Sequence, residues 1–300
     1  MLPREIAAAL LVPFFWGLQF VTTKFGTAAI PPLLFGALRF AAVAILLLPF
    51  VGKPGRKEAL AAAIISVFFG GLGFGLYFAG LHLGSASLSA VVAQLMAPFT
   101  VLLGWPLTGE RPSGRVLVGI AVALGGVALA LGSASQGGTV LAAALVAGGA
   151  AAQGLGTVLI KRLGPFGAMR LLAWLSLFAM PQLLIASALF EHGQIAALRQ
   201  APQTAWLSLA YATLFGTVVA FGLWFWLVSR CSLARVAPFA LLQTPVAIVA
   251  GLVVLNEPAT VLLVSGALIC LAGVALTQAR SDRHIVVTAD ETSSLSPKAD

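Results

Sequence analysis

The sequence predicts an all-α integral membrane protein with ten transmembrane helices in two inverted five-helix repeats. Three observations carry that prediction. Of the 300 residues, 60% are hydrophobic and 9% charged, against about 25% charged in a soluble domain. Apolar stretches of roughly 17–25 residues recur along the whole length, each long enough to cross a hydrocarbon core of about 30 Å. The second half also repeats the first. At an offset of 147 residues, Gly75–Leu129 and Gly222–Leu276 share 16 identities in 55 aligned pairs, among them Pro98/Pro245, Gly104/Gly251, Glu110/Glu257 and Gly119/Gly266. A duplicated half in so apolar a chain marks a membrane protein built from two structural repeats.

The spans fall in order at 6–24, 33–51, 60–82, 86–106, 114–132, 139–160, 169–190, 205–228, 234–254 and 260–278. They must be helices, because lipid offers the backbone no hydrogen-bond partner and a β-barrel would read as short alternating strands. The first span resembles a secretory signal only superficially: its apolar run is too long and lacks a convincing cleavage site. In the fourth span Gln94 and Met96 precede Pro98, and in the ninth Gln243 and Thr244 precede Pro245. Each proline removes a backbone hydrogen bond near mid-helix, which predicts a kink and freed carbonyls that could contact a cargo. The fifth and tenth spans carry Gly119/Gly126 and Gly266/Gly273. A spacing of seven is close to two turns, so each pair makes a flat face, for packing inside the chain or for a dimer. The connection from Glu191 to Gln203 is the longest; the other loops leave no room for a soluble domain.

These elements divide the chain into a first repeat, 1–133, a second repeat, 134–279, and a polar tail, 280–300, expected to be disordered on the cytoplasmic side. Five helices per repeat is an odd number, so the second repeat must start on the opposite side of the membrane. Its first helix matches in a shifted register, with Gly17/Gly154 and Lys24/Lys161. The net charge of +8 would suit nucleic acid, but its placement argues otherwise. With a cytoplasmic N-terminus, 14 of the 17 Lys and Arg residues lie at cytoplasmic ends or tails, and only Lys24, Arg39 and Arg199 lie toward the other side. That bias predicts both termini in the cytoplasm. Cys231 and Cys270 form no disulfide framework or metal-ligand spacing.

An ordered series of short motifs resembles the EamA-type branch of the drug/metabolite transporter superfamily. In the first half it comprises Trp16-Gly17-Leu18-Gln19-Phe20, Pro31-Pro32-Leu33, Leu38-Arg39-Phe40, Gly109-Glu110-Arg111 and Gly119. In the second it comprises Arg235-Val236-Ala237-Pro238, Pro245, Glu257 and the Gly266…Gly273 helix. The likeness covers essentially residues 6–278 and is strongest to bacterial inner-membrane exporters of amino acids and related metabolites. Asn256 departs from it, standing where the family has Gly or Asp. The resemblance implies a basket-like fold with a central cavity between the halves.

Ionisable residues inside a span are functional candidates by default, and this interior holds almost none. Glu5, Glu58, Glu110, Glu191 and Glu257 all fall at helix ends or in loops. Arg39 is the one strong basic candidate; it could receive a carboxylate or pair with helix-end carbonyls. The depth of the spans places uncharged polar and aromatic groups near the midplane: Trp16, Gln19, Gln94, Met96, Gln153, Thr157, Gln243 and Thr244. Buried amides either bridge helices or line a wet cavity. Tyr77 and Trp224 occupy equivalent repeat positions and, with Phe74, Phe78 and Trp226, could wall that cavity. The substrate-binding set expected from this reasoning is Trp16, Gln19, Tyr77, Gln94, Gln153, Trp224, Gln243 and Thr244. Glu110 and Glu257 are expected to cap helices 5 and 10. His82, at a membrane edge, is a weaker candidate for proton sensing.

These readings favour a secondary transporter that exports amino acids or related small metabolites across the bacterial inner membrane by alternating access. The alternative cargo is drugs, quaternary cations or other metabolites. An enzyme is disfavoured: HExxH, GxSxG and Walker A motifs are missing, and Gly71-x-Gly73-x-Gly75 lacks a strand–helix context. Neither cofactor nor metal is called for. The expected partners are the bilayer and a small-molecule substrate rather than nucleic acid, with the chain monomeric or dimeric through helices 5 and 10.

Overall fold

The computed structural model describes residues 1–109, 111–132, 137–163, 167–231 and 233–278. Ten helices in it are long and apolar enough to cross a membrane: α1 Pro3–Ala29, α2 Pro32–Phe50, α3 Arg56–Leu83, α4 Ala86–Thr108, α5 Gly114–Leu131, α6 Thr139–Leu163, α7 Ala168–Phe190, α8 Gln203–Arg230, α9 Arg235–Leu255 and α10 Val261–Gln278. All ten expected spans are present. The long connection before α8 holds a short helix, Gln194–Gln200. Large apolar side chains such as Ile45, Ile185, Leu189 and Val253 are exposed on the outer surface, as lipid-facing helices require and a soluble protein would avoid.

The pairing of helices follows the repeat. α1 packs on α9 while its counterpart α6 packs on α4, and α5 crosses its own counterpart α10. The register is equivalent too. A Cβ added to Gly17 would lie 2.7 Å from the Gln243 carbonyl oxygen, and one added to Gly154 would lie 3.2 Å from that of Met96. Gln243 and Met96 are themselves equivalent at the 147-residue offset.

At the α5–α10 crossing, a Cβ on Gly119 would lie 2.8 Å from the Gly273 carbonyl oxygen, and one on Gly126 would lie 2.7 Å from that of Gly266. Numbers rise along α5 as they fall along α10, so two equivalent helices run antiparallel, the sense that inverted halves require. The glycine faces are filled inside the chain, which leaves none of the four glycines free for the dimer contact considered above.

Each repeat bends its helices at matching places. The turn at Gln94–Leu95 interrupts α4, and the turn at Leu241–Leu242 interrupts α9. The cause is proline: Pro98 cannot donate to the Gln94 carbonyl or Pro245 to that of Leu241. Those carbonyls are not freed for a cargo, which corrects the expectation. The N–H groups of Ala97 (3.3 Å) and Thr244 (3.3 Å) take them instead, in bonds one residue tighter.

α3 and α8 are wound wider, through π-helical turns at Ser66–Phe74 and Leu214–Val219, again at equivalent positions. α4 and α9 end alike as well, on left-handed Gly109 (φ 75°) and Asn256 (φ 53°). Asparagine tolerates that conformation, so the departure from the family pattern preserves the turn.

Glu257 does cap a helix, but not its own. Its carboxylate accepts from the Ala86 N–H (2.6 Å), the Ser87 N–H (2.9 Å) and the Ser87 hydroxyl (2.6 Å), and so caps α4 of the other half. Glu191 makes a related bond, accepting from the N–H groups of Leu33 (2.7 Å) and Leu34 (3.1 Å) at the start of α2. The expected Glu110 cap and the 280–300 tail lie outside the described residues.

Candidate functional site

Between the halves lies a cavity of about 440 Å³, inside the range of roughly 300–1,000 Å³ usual for small-molecule sites. Trp16, Gln19, Tyr77, Gln94, Gln153, Trp224 and Gln243 all line it, as do Met96, Thr157 and Phe74. The placement follows from the local structure. The bends at 94–95 and 241–242 swing the flanking residues of α4 and α9 around the cavity, and the close α1–α9 and α4–α6 contacts at Gly17 and Gly154 bring Trp16 and Gln153 to it.

Thr244 is the exception among the expected residues. It is fully buried behind the wall, where its hydroxyl accepts from Gln94 Nε2 (2.7 Å) and donates to the Ala90 carbonyl (3.3 Å). It therefore holds Gln94 rather than facing the cavity. Phe78 and Trp226 also fall outside the wall: Phe78 is completely buried, and Trp226 lies under the guanidinium of Arg230, 5.1 Å from ring centroid to Cζ. His82 is exposed and its carbonyl accepts from Lys24 Nζ (3.1 Å), so the histidine sits away from the cavity.

One wall is aromatic. Trp16 packs against Phe221 and Trp224, with ring centroids 5.5 Å apart in both pairs, and Phe20 meets Tyr77 edge-on at 5.6 Å. Such walls accept apolar side chains and, through their ring faces, ammonium groups. The Gln153 and Gln243 side-chain amides make no hydrogen bond among the described residues and remain open to a ligand.

The other wall holds Arg39, 1% exposed. It does not pair with helix-end carbonyls, the structural alternative considered above. Its Nε and Nη2 donate to Thr217 Oγ1 (3.0 and 2.7 Å), and that hydroxyl donates in turn to the Ala212 carbonyl (2.8 Å). The guanidinium lies 4.7 Å over the Phe74 ring. The hydrogen-bond network orients the Gln19 amide so that its oxygen accepts from Arg39 Nη1 (3.1 Å) and Nη2 (3.3 Å) while its nitrogen donates to the Gly216 carbonyl (3.1 Å). The wide turn of α8 makes this possible: it bonds the Thr217 hydroxyl five residues back, and Gly216 leaves the space that the Gln19 amide fills. Thr217, Gly216, Phe69, Phe221 and Phe225 escaped the sequence reading. Their signal, a glycine-bearing turn opposite an intramembrane arginine, becomes visible only once α2 and α8 are adjacent.

Comparison with known proteins points the same way. The family model described as "EamA-like transporter family" matches residues 3–132 and 140–278. The chain is 31% identical over 286 residues to a "Probable amino-acid metabolite efflux pump" of Escherichia coli (strain K12), covering 90% of this chain and 93% of that one. It is 34% identical over 276 residues to a protein of the same description from Salmonella typhimurium, covering 88% and 91%. A solved crystal structure aligns with a TM-score of 0.62 at 20% identity, covering 91% of this chain and 95% of that chain, and shows the fold alone. With its ten apolar helices the chain is a multi-pass bacterial membrane protein.

Proposed function

We propose that this chain, which belongs to the EamA-like transporter family, exports amino acids or related small metabolites across the bacterial inner membrane by alternating access. The observation that carries the reading is the composition of the cavity: neutral amides, a wall of packed aromatic rings and one cation, with no carboxylate among its lining residues that the structure describes. A zwitterion brings both charges with it and must leave again, which suits neutral donors and acceptors better than a fixed ion pair. The naming of the two bacterial relatives as probable amino-acid metabolite efflux pumps supports the same cargo. The absence of a lining carboxylate disfavours quaternary cations.

In this reading the halves 1–133 and 134–279 rock about the cavity, and both termini are cytoplasmic. The cavity wall runs on to Ile160 and Gln278, near the C-terminal ends of α6 and α10, which is the cytoplasmic end in this orientation. At the opposite end Glu257 ties the second half to the start of α4, and Lys24 Nζ donates to the Gly84 carbonyl (2.5 Å). Release of cargo to the far side requires the Glu257 contact to part.

The test is counterflow of radiolabelled threonine, methionine, cysteine derivatives and aromatic amino acids in proteoliposomes, with and without an imposed pH gradient. Protein-dependent flux of at least one supports the reading. No flux for any of them, alongside resistance to quaternary cations in an expressing strain, transfers the cargo to the alternative class.

A further inference from the structure

We infer that Arg39 is the group that receives the cargo's carboxylate, so that an anionic carboxylate is a requirement for binding; the inference rests on the amino-acid-export reading above. Arg39 lines the cavity while 1% exposed. Everything that holds it is neutral: the Thr217 hydroxyl, the Gln19 amide and the Phe74 ring. Among the described residues no carboxylate pairs with it; the Arg170–Glu58 ion pair, at 3.0 Å, is elsewhere. Hydroxyl, amide and ring orient a guanidinium without cancelling its charge. An uncompensated charge held in a membrane interior is costly, and packing alone would be better served by an apolar side chain.

The geometry leaves a place for the missing anion. The two bonds to Thr217 and the two to Gln19 occupy four N–H groups of the five that a guanidinium carries. One N–H on Nη1 remains for an incoming oxygen. The Gln19 amide sits beside it and can rotate to let a carboxylate bind through two oxygens, the arrangement that suits arginine best. The aromatic wall of Trp16, Phe221 and Trp224 is then left for the side chain or the ammonium group of the same molecule.

The experiment measures binding to the purified full chain in detergent by the change in tryptophan fluorescence, Trp16 and Trp224 being the two of its six tryptophans that wall the cavity. For an amino acid that shows counterflow, the affinities of the acid, its carboxamide and its decarboxylated amine are compared, with chloride and inorganic phosphate as small-anion controls. The wild type is expected to prefer the acid on the order of 30-fold, the scale of one hydrogen bond between charged partners. Arg39→Lys should keep a reduced preference, and Arg39→Gln should bring the three ligands to similar affinities while the amine still binds. A wild-type ratio near one overturns the inference and leaves amino-acid export standing, and that comparison needs no variant to fold. An unchanged ratio in Arg39→Gln overturns it equally, as does chloride or phosphate binding that the amino acid cannot displace. Binding of quaternary cations in place of any amino acid removes the inference together with the functional reading.

Discussion

Gly125 and Gly126 are neighbours on α5, yet alanine at the two positions should have opposite effects. A Cβ on Gly126 would lie 2.7 Å from both the Cys270 Cα and the Gly266 carbonyl oxygen of α10. Comfortable non-bonded contact is about 3.5–4.0 Å, and the atoms in the way are backbone, which no rotamer change can move. The helices must part by about 1 Å, and overpacking of that kind costs about 1–3 kcal/mol. A Cβ on Gly125 meets nothing within 4 Å, so alanine there gains up to about 1 kcal/mol of helix propensity. That propensity gain is common to both positions and cancels in the comparison, so the two variants should differ by the packing cost, about 1–3 kcal/mol or roughly 5- to 140-fold in the unfolding equilibrium. Titrating dodecyl maltoside micelles with SDS and following helicity by circular dichroism measures that difference. If the two alanine variants unfold within about 0.5 kcal/mol of each other, the close α5–α10 crossing, and the antiparallel relation of the halves read from it, is wrong.

Two further outcomes follow from contacts between the halves. Glu257→Gln weakens the cap on α4 that ties the halves together, so a membrane-impermeant maleimide should label a Leu88→Cys reporter several-fold faster from the side of the membrane that holds Glu257, with both native cysteines replaced; equal rates exclude a gating role for the contact. Thr244→Val removes the hydroxyl that holds Gln94 without touching the cavity wall, and should lower counterflow through weaker cargo binding while costing about 1–2 kcal/mol of stability, the scale of one buried hydrogen bond; full transport at unchanged cargo affinity refutes a positioning role.

Much of this architecture is legible without coordinates. A helix that crosses lipid must satisfy its own backbone and be apolar over about 20 residues, and both are local properties, so hydropathy alone delimits ten spans. The repeat is equally local: Gly126 and Gly273 are recognised by counting, and an odd number of helices per half implies inversion. Seven of the eight expected cavity residues also surround one cavity, because an amide or a tryptophan at mid-span has few other places to go. A single helix pattern does not say which of two adjacent polar residues turns inward; Gln243 lines the cavity and Thr244 lies buried behind it.

What only the tertiary structure decided are relations between helices distant in the chain. Hydropathy treats α8 as one uniform span, whereas its wide turn adds a residue that leaves the apolar pattern intact while aiming Thr217 at Arg39, 178 residues away. Glu257 looks like the cap of the helix that follows it, yet its carboxylate reaches a helix 170 residues earlier. A charge's partner is set by which helices pack together and at what rotation. Those depend on close contacts such as Gly17 on α9 and Gly126 on α10, summed over the whole fold, and no stretch of sequence contains that sum by itself.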